Sequence, residues 1–315
     1  MDQNNNLRNM DQIQPLQLAS VSKLLTAAAV LRALEVKNID ILTPVYHYFP
    51  SGWGPPKSDF KKITFLANLQ YKVGISNTLG ASGKLARIMG YYQQAGQFPL
   101  LSSEIGVVKR YNSTSYAWFR VIMAYMLVPE IKDTLNQLYK ISPPVWHSVV
   151  SNFHNQYVRS VCFPNGEWAY PNPIGNGYSA SSQTLYYGQP PPVATAGKPF
   201  PDWTLATGSG GWNVGMGDFR AFMHRLRWGN VLTTQNKNRI FSYATVNEVC
   251  AFDNRTQDRF GSTVFLKGGV VAGYCNATLL AFSSAPIIVN VATNCHPSVA
   301  ALDQVILNAY NASWS

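Results

Sequence analysis

The sequence predicts an α/β fold of the α+β kind, an antiparallel sheet flanked by helices and attached to a mainly helical lobe. Three observations carry this. The run Ser20–Glu35 is rich in Ala and Leu and repeats its apolar positions at helical spacing. Residues 117–127 and 145–162 are further helix-like runs, and the chain beyond residue 240 turns to short β-rich runs with one closing helix. The first and last segments are expected to share one α/β lobe, residues 1–65 and 230–315, with residues 66–229 forming the helical lobe.

Taken in order, Ser20–Glu35 reads as a helix buried on all sides. Its first turn is anomalous, because Ser20 and Lys23 lie three apart on one face and set a hydroxyl beside an amine. Residues 38–50 read as extended, closed by the Pro and Gly of 50–56. Residues 63–69 restart a helical pattern with Thr64 as cap. The polar hexapeptide Tyr111–Tyr116 leads into an apolar helix over 117–127 that stops before Pro129, and 145–162 is helical up to Phe163-Pro164-Asn165-Gly166. Residues 167–212, rich in Gly, Pro, Ser, Tyr and Asn, have no period and form a long loop of the kind that is usually functional. Residues 218–226 are helical; 240–249, 263–266, 274–283 and 286–293 read as strands of an antiparallel meander, and 303–310 as the terminal helix.

Composition sets bounds on function. The 315 residues are 46% hydrophobic and 13% charged, enough for one large core or two smaller ones. A net charge of +10 would permit nucleic-acid binding, but the basic residues are scattered and no polybasic arm is present, so no nucleic-acid partner is expected. No run reaches the roughly 18 apolar residues of a membrane span. The first nineteen residues are rich in Asn and Gln with no apolar core of a signal peptide. Low charge, abundant Tyr and Trp, four cysteines and four N-x-Ser/Thr sites (Asn112, Asn254, Asn276, Asn311) nevertheless lean towards a secreted or extracytoplasmic protein. The cysteines lack C-x-x-C spacing and the five histidines lack metal spacing, so neither a metal nor another cofactor is expected. A hairpin turning near Ala285 would set Cys275 opposite Cys295, close enough for a disulfide. Gly208-Ser209-Gly210-Gly211 lacks the endings of phosphate-binding loops, and there is neither a G-x-S-x-G elbow nor an H-E-x-x-H.

Three sites carry the chemistry: Ser20-x-x-Lys23 at a helix start, Tyr111-x-Ser113 at another, and Lys267-Gly268-Gly269 at the end of a strand. A serine hydroxyl needs a base to become a nucleophile, and Lys23 can be that base if burial and the field of Lys267 lower its pKa. A second S-x-x-K, at Ser58–Lys61, is not followed by a long buried helix. The three sites resemble, in order and interval, the S-x-x-K, Y-x-N and K-T-G series of serine β-lactamases and penicillin-binding proteins, most closely the class C β-lactamases and related esterases and D-amino-acid peptidases. Residues 16–23, 63–75, 210–222 and 267–274 are similar to that superfamily's characteristic segments, so the resemblance covers nearly everything after residue 16.

The resemblance implies a β-lactamase/transpeptidase-like fold and an acyl-enzyme on Ser20. It makes Lys23 and Tyr111 the proton-handling pair, Lys267 the cation that supports them, and Ser113, Gly268, Gly269 and Val270 the substrate-binding residues. The oxyanion would be held by the backbone N–H groups of Ser20 and Val270. The expected partner is a small ester, amide or peptide, and the second reading is a catalytically inactive homologue that serves as a binding or scaffold protein. Ser113 stands where the family has Asn, which weighs against amide and β-lactam substrates, and Gly268 replaces the Thr of K-T-G. Only nineteen residues precede Ser20, so the sheet is expected to lack the family's two N-terminal strands, as in a truncated chain, and to expose an edge.

Overall fold

The computed structural model describes residues 13–75, 85–93, 98–172, 184–186, 197–241, 250–271, 275–282, 287–293 and 302–313. Strand β1 (Pro15–Gln17) leads through a 3₁₀ turn, Ala19–Ser22, into helix α1 (Lys23–Lys37). Helix α1 is buried without a break from Lys23 to Leu31, and only near its end do Arg32 and Glu35, paired at 3.1 Å, reach the surface. It ends at Asn38, whose left-handed backbone (φ 51°, ψ 44°) closes the last turn.

Residues 38–50 are not a strand. Two 3₁₀ turns, Val45–Tyr48 and Ser51–Trp53, each follow a proline in the extended region, Pro44 and Pro50. The aromatic side chains collapse inward instead of alternating across a sheet: Phe49 packs on Trp53, Phe60 and Tyr92 with ring centroids 5.1–5.4 Å apart.

Helix α2 (Phe65–Leu69) starts as its cap predicts, the Thr64 hydroxyl accepting the Ala67 N–H at 3.1 Å. Helices α3 (Leu85–Gln93), α4 (Ser113–Leu127), α5 (Lys132–Ile141) and α6 (Pro143–Cys162) follow. The sequence does not announce α5, because Ile131 stands at its N-cap and offers no capping side chain. Helices α1, α4 and α6 pack on one another, and Trp118 on α4 and Trp146 on α6 are both fully buried.

The segment 167–212 contributes β2 (Ala169–Tyr170), β3 (Leu185–Tyr186) and β4 (Lys198–Pro199). Next come β5 (Asn213–Gly215), α7 (Met216–Arg227) and α8 (Thr234–Phe241). The expected strand at 240–249 is therefore corrected at its start, since Ile240 and Phe241 are the buried end of a helix; the rest of it lies outside the described residues. The C-terminal part holds β6 (Asn254–Gln257), β7 (Thr263–Val271), β8 (Cys275–Phe282), β9 (Ile288–Thr293) and α9 (Leu302–Ala312).

Strands β1, β5 and β2 form one small antiparallel sheet in the order β1-β5-β2, and β3 pairs with β4. The main sheet is the antiparallel meander β6-β7-β8-β9. One of its faces joins the main core through Phe265, Ala277, Leu279 and Ala281. The other is covered by α9, where Leu307 meets Val264, Leu280 and Phe282. The Cys275–Cys295 pairing falls on side chains outside the described residues; Cys162 and Cys250 are buried free thiols.

Candidate active site

The 3₁₀ turn Ala19–Ser22 lies against β7 and β8, so the start of α1 meets the sheet. The close approach is made at Gly269, where a β-carbon would stand 2.7 Å from the Ser20 nitrogen, 2.8 Å from the Leu18 oxygen and 2.9 Å from the Val21 nitrogen. Those neighbours are all backbone, so only glycine fits. On the other side of the turn Ala19 adopts φ 45°, a left-handed conformation that is strained for a residue with a side chain.

Tyr111 arrives from the start of α4. Asn112 caps that helix, its Oδ1 accepting the N–H groups of Thr114 (2.7 Å) and Ser115 (3.3 Å). The cap holds the preceding residue over Ser20. The Asn112 side chain, 2% exposed, is thereby committed, and the N-x-Ser/Thr site it heads is closed to a glycan.

Ser20, Lys23 and Tyr111 form a mutually bonded triangle. Lys23 Nζ donates to Ser20 Oγ (2.9 Å) and to the Tyr111 oxygen (2.9 Å), and the Tyr111 hydroxyl donates to Ser20 Oγ (2.6 Å). The third Lys23 contact is the Ser209 carbonyl, while Thr26 Oγ1 holds the Gly208 carbonyl at 3.0 Å. The Gly-rich 208–211 loop is thus a brace for the lysine. Ser113 Oγ lies 3.3 Å from the Tyr111 oxygen.

Lys267 approaches the same group from β7. Its ammonium sits 4.7 Å from the Tyr111 ring centroid, hydrogen-bonds the Tyr71 hydroxyl at 3.1 Å and forms an ion pair with Asp253. Tyr71 in turn donates to the Ala251 carbonyl at 3.1 Å. Lys23 and Lys267 are both wholly buried. Burial lowers the Lys23 pKa below its ordinary 10.5 and Lys267 adds to the effect, while Tyr111 works against it. For Tyr111, burial of the hydroxyl end pushes the phenol up, but the Lys23 and Lys267 charges outweigh it and bring the pKa down to about 8.

Ser20, Tyr111 and Ser113 open onto a cavity of about 470 Å³, together with Asp253, Gly268, Gly269, Val270, Ala277, Thr278 and Leu302. Strand β6 pairs with β7 only as far as Leu266, so the edge of β7 from Gly268 onward faces this cavity. The Gly268 N–H donates to Asp253 Oδ2 at 3.2 Å, and the Val270 N–H, two residues along the strand, points to the same side.

The sequence of residues 5–126 matches the family model described as Beta-lactamase. Among solved structures, a D-stereospecific amidohydrolase from Streptomyces sp. superposes with a TM-score of 0.60 at 14% identity, covering 90% of this chain and 83% of that one. A penicillin binding protein from Bacillus halodurans gives 0.60 at 13% identity, with 97% and 87% covered. The class C beta lactamase from Rhodobacter sphaeroides gives 0.64 at 11% identity, with 96% and 86% covered. The fold is that of the serine β-lactamase and penicillin-binding-protein superfamily. No curated protein matches the sequence.

Within this β-lactamase fold, all eight residues singled out in the sequence converge: Ser20, Tyr111, Ser113, Gly268, Gly269 and Val270 line the cavity, and Lys23 and Lys267 stand behind it. Three others were not anticipated. Asp253 and Tyr71 hold Lys267, and Thr278, opposite Gly268 on β8, has a buried Oγ1 with no partner among the described residues. None of the three belongs to a spaced motif, though Tyr71 falls inside the 63–75 segment that resembles the superfamily. Among the described residues no cluster of His, Cys, Asp and Glu could hold a metal, and no helix is long and apolar enough to cross a membrane.

Proposed function

We propose that this protein is a serine hydrolase that forms an acyl-enzyme on Ser20 and releases it to water, acting on an ester or small amide. The observation that carries this reading is the triangle of Ser20 Oγ, Lys23 Nζ and the Tyr111 oxygen at the wall of the cavity. With its pKa lowered, Lys23 can stand as a free amine, whose lone pair accepts the Ser20 proton while its remaining N–H groups keep Tyr111 and Ser209. Ser20 Oγ then bonds to the substrate's acyl carbon. The resulting oxyanion is received by the N–H groups of Ser20 and Val270, each donor of this type contributing about 10²- to 10³-fold in rate. Tyr111 relays the proton to the leaving group as its bond to carbon breaks. Water attacks the ester of Ser20 along the reverse route.

The test is labelling with a fluorescent fluorophosphonate, followed by peptide mass spectrometry. The expected result is one adduct on Ser20, absent in Ser20→Ala; folded wild-type protein that takes no label and hydrolyses no p-nitrophenyl ester would sink the proposal. A chromogenic cephalosporin run beside the ester separates a lactamase from an esterase.

A further inference from the structure

Although the cavity is built around two lysines, neither reaches its surface. Lys23 and Lys267 are both 0% exposed, closed off behind Ser20, Tyr111 and Asp253. Among the described lining residues Asp253 alone is an Asp, Glu, Lys, Arg or His, and it keeps 28% of its side chain exposed. One carboxylate oxygen is held by Lys267, and the other faces the β7 edge and accepts the Gly268 N–H. A carboxylate oxygen has acceptor capacity beyond one bond, so Oδ2 can take a further donor from within the cavity. The remaining lining is apolar or uncharged, with Val270 53% exposed and Leu302 and Ala277 beside it.

Among the described lining residues, a ligand that enters this cavity therefore meets a carboxylate and no cation. An anionic acyl donor would bring its charge up to Asp253 with Lys267 already paired, whereas an ammonium would gain a charge-assisted hydrogen bond.

We propose that Asp253 is a specificity-determining residue that makes the cavity select amine-bearing acyl donors, a cationic amino ester or amino amide, over carboxylate-bearing ones. This rests on the hydrolase reading for its kinetic consequence but not for its binding consequence, so two arms are needed. In the first, kcat/KM is measured for the p-nitrophenyl esters of caproic acid, of ε-aminocaproic acid and, as the monoester, of adipic acid, which differ in the terminal group of one chain. Wild-type protein is expected to prefer the ammonium ester over the carboxylate ester by about tenfold or more at low salt, narrowing as added salt screens the charges. In Asp253→Asn the ratio of these two, each referred to the neutral ester, is expected to collapse or invert, because Lys267 is left uncompensated. Wild-type preference for the carboxylate ester, or a ratio unmoved by both salt and the substitution, would overturn the proposal.

In the second arm, Ser20→Ala protein is titrated calorimetrically with caproamide, ε-aminocaproamide and adipic monoamide. Tightest binding of the ammonium compound is expected. Should the esters not be hydrolysed while this order holds, the hydrolase reading fails and the charge selectivity stands. Binding without a charge order, or no binding at all, overturns the selectivity whatever the esters do.

Discussion

Gly269 and Ser20 are so close that a methyl group on the glycine α-carbon would lie 2.7 Å from the serine nitrogen. This contact fixes the distance between the start of α1 and the edge of β7. Its neighbour Gly268 is different, with Asp253 Oδ2 at 4.0 Å as the nearest atom to an added β-carbon. Gly269→Ala is therefore expected to force the 3₁₀ turn and the strand apart, costing about 1–3 kcal/mol in urea unfolding and slowing fluorophosphonate labelling of Ser20. Gly268→Ala is expected to stay within about 0.5 kcal/mol of the parent. Equal costs for the two would mean that the turn does not seat on Gly269.

The Tyr111–Lys23 pair predicts the pH profile of acylation. Tyr111 is lowered to about 8 and Lys23 is lowered by burial, so the form with one proton fewer, ready to accept from Ser20, becomes populated as pH rises through that range. The labelling rate of Ser20 should climb with pH to a plateau above about 8. In Tyr111→Phe the limb near 8 should vanish along with most of the rate. A profile flat between about pH 6 and 9 in the parent would exclude this pair as the proton acceptor.

Asn112 links helix stability to the position of Tyr111. Its side chain is 2% exposed and caps α4 through two backbone N–H groups. Asn112→Ala should cost about 1–2 kcal/mol in thermal or urea unfolding, and Asn112→Ser or Asn112→Asp should recover much of it. Expression in a glycosylating host should yield no glycan at Asn112, read by peptide mass spectrometry.

These features differ in how visible they are in sequence, and the reason is physical. Helix α1 and the Thr64 cap are local: propensity, periodicity and one hydroxyl three residues from the N–H it accepts are enough to specify them. Ser20-x-x-Lys23 is local too, since one helical turn sets the spacing. Asp253 is not, because its role comes from the pairing of β6 with β7, which brings it beside Lys267 across a loop. The Ser209 carbonyl that braces Lys23 is 186 residues away and has no side-chain signature at all. Ile240 and Phe241 misled for a related reason. Apolar content marks burial, and a buried helix end and a short buried strand have the same composition over a few residues.

His154 gives the protein an acid-sensitive core. It lies fully buried on α6, with Nδ1 3.0 Å from Asn155 Oδ1 and no partner for Nε2 among the described residues. Burial lowers its pKa from 6.5 to about 4, with Arg120 acting in the same direction and the Asn155 bond opposing. The unfolded chain therefore binds a proton that the folded chain refuses between those two values. The stability associated with the neutral imidazole is fully present above about pH 6.5 and is lost as pH falls to about 4, amounting to about 3 kcal/mol at the low end. Urea unfolding followed from pH 7 to pH 4 should show this loss, and His154→Gln, which cannot titrate, should lose correspondingly less over the same interval. The same slope in both proteins would assign the acid sensitivity to other groups.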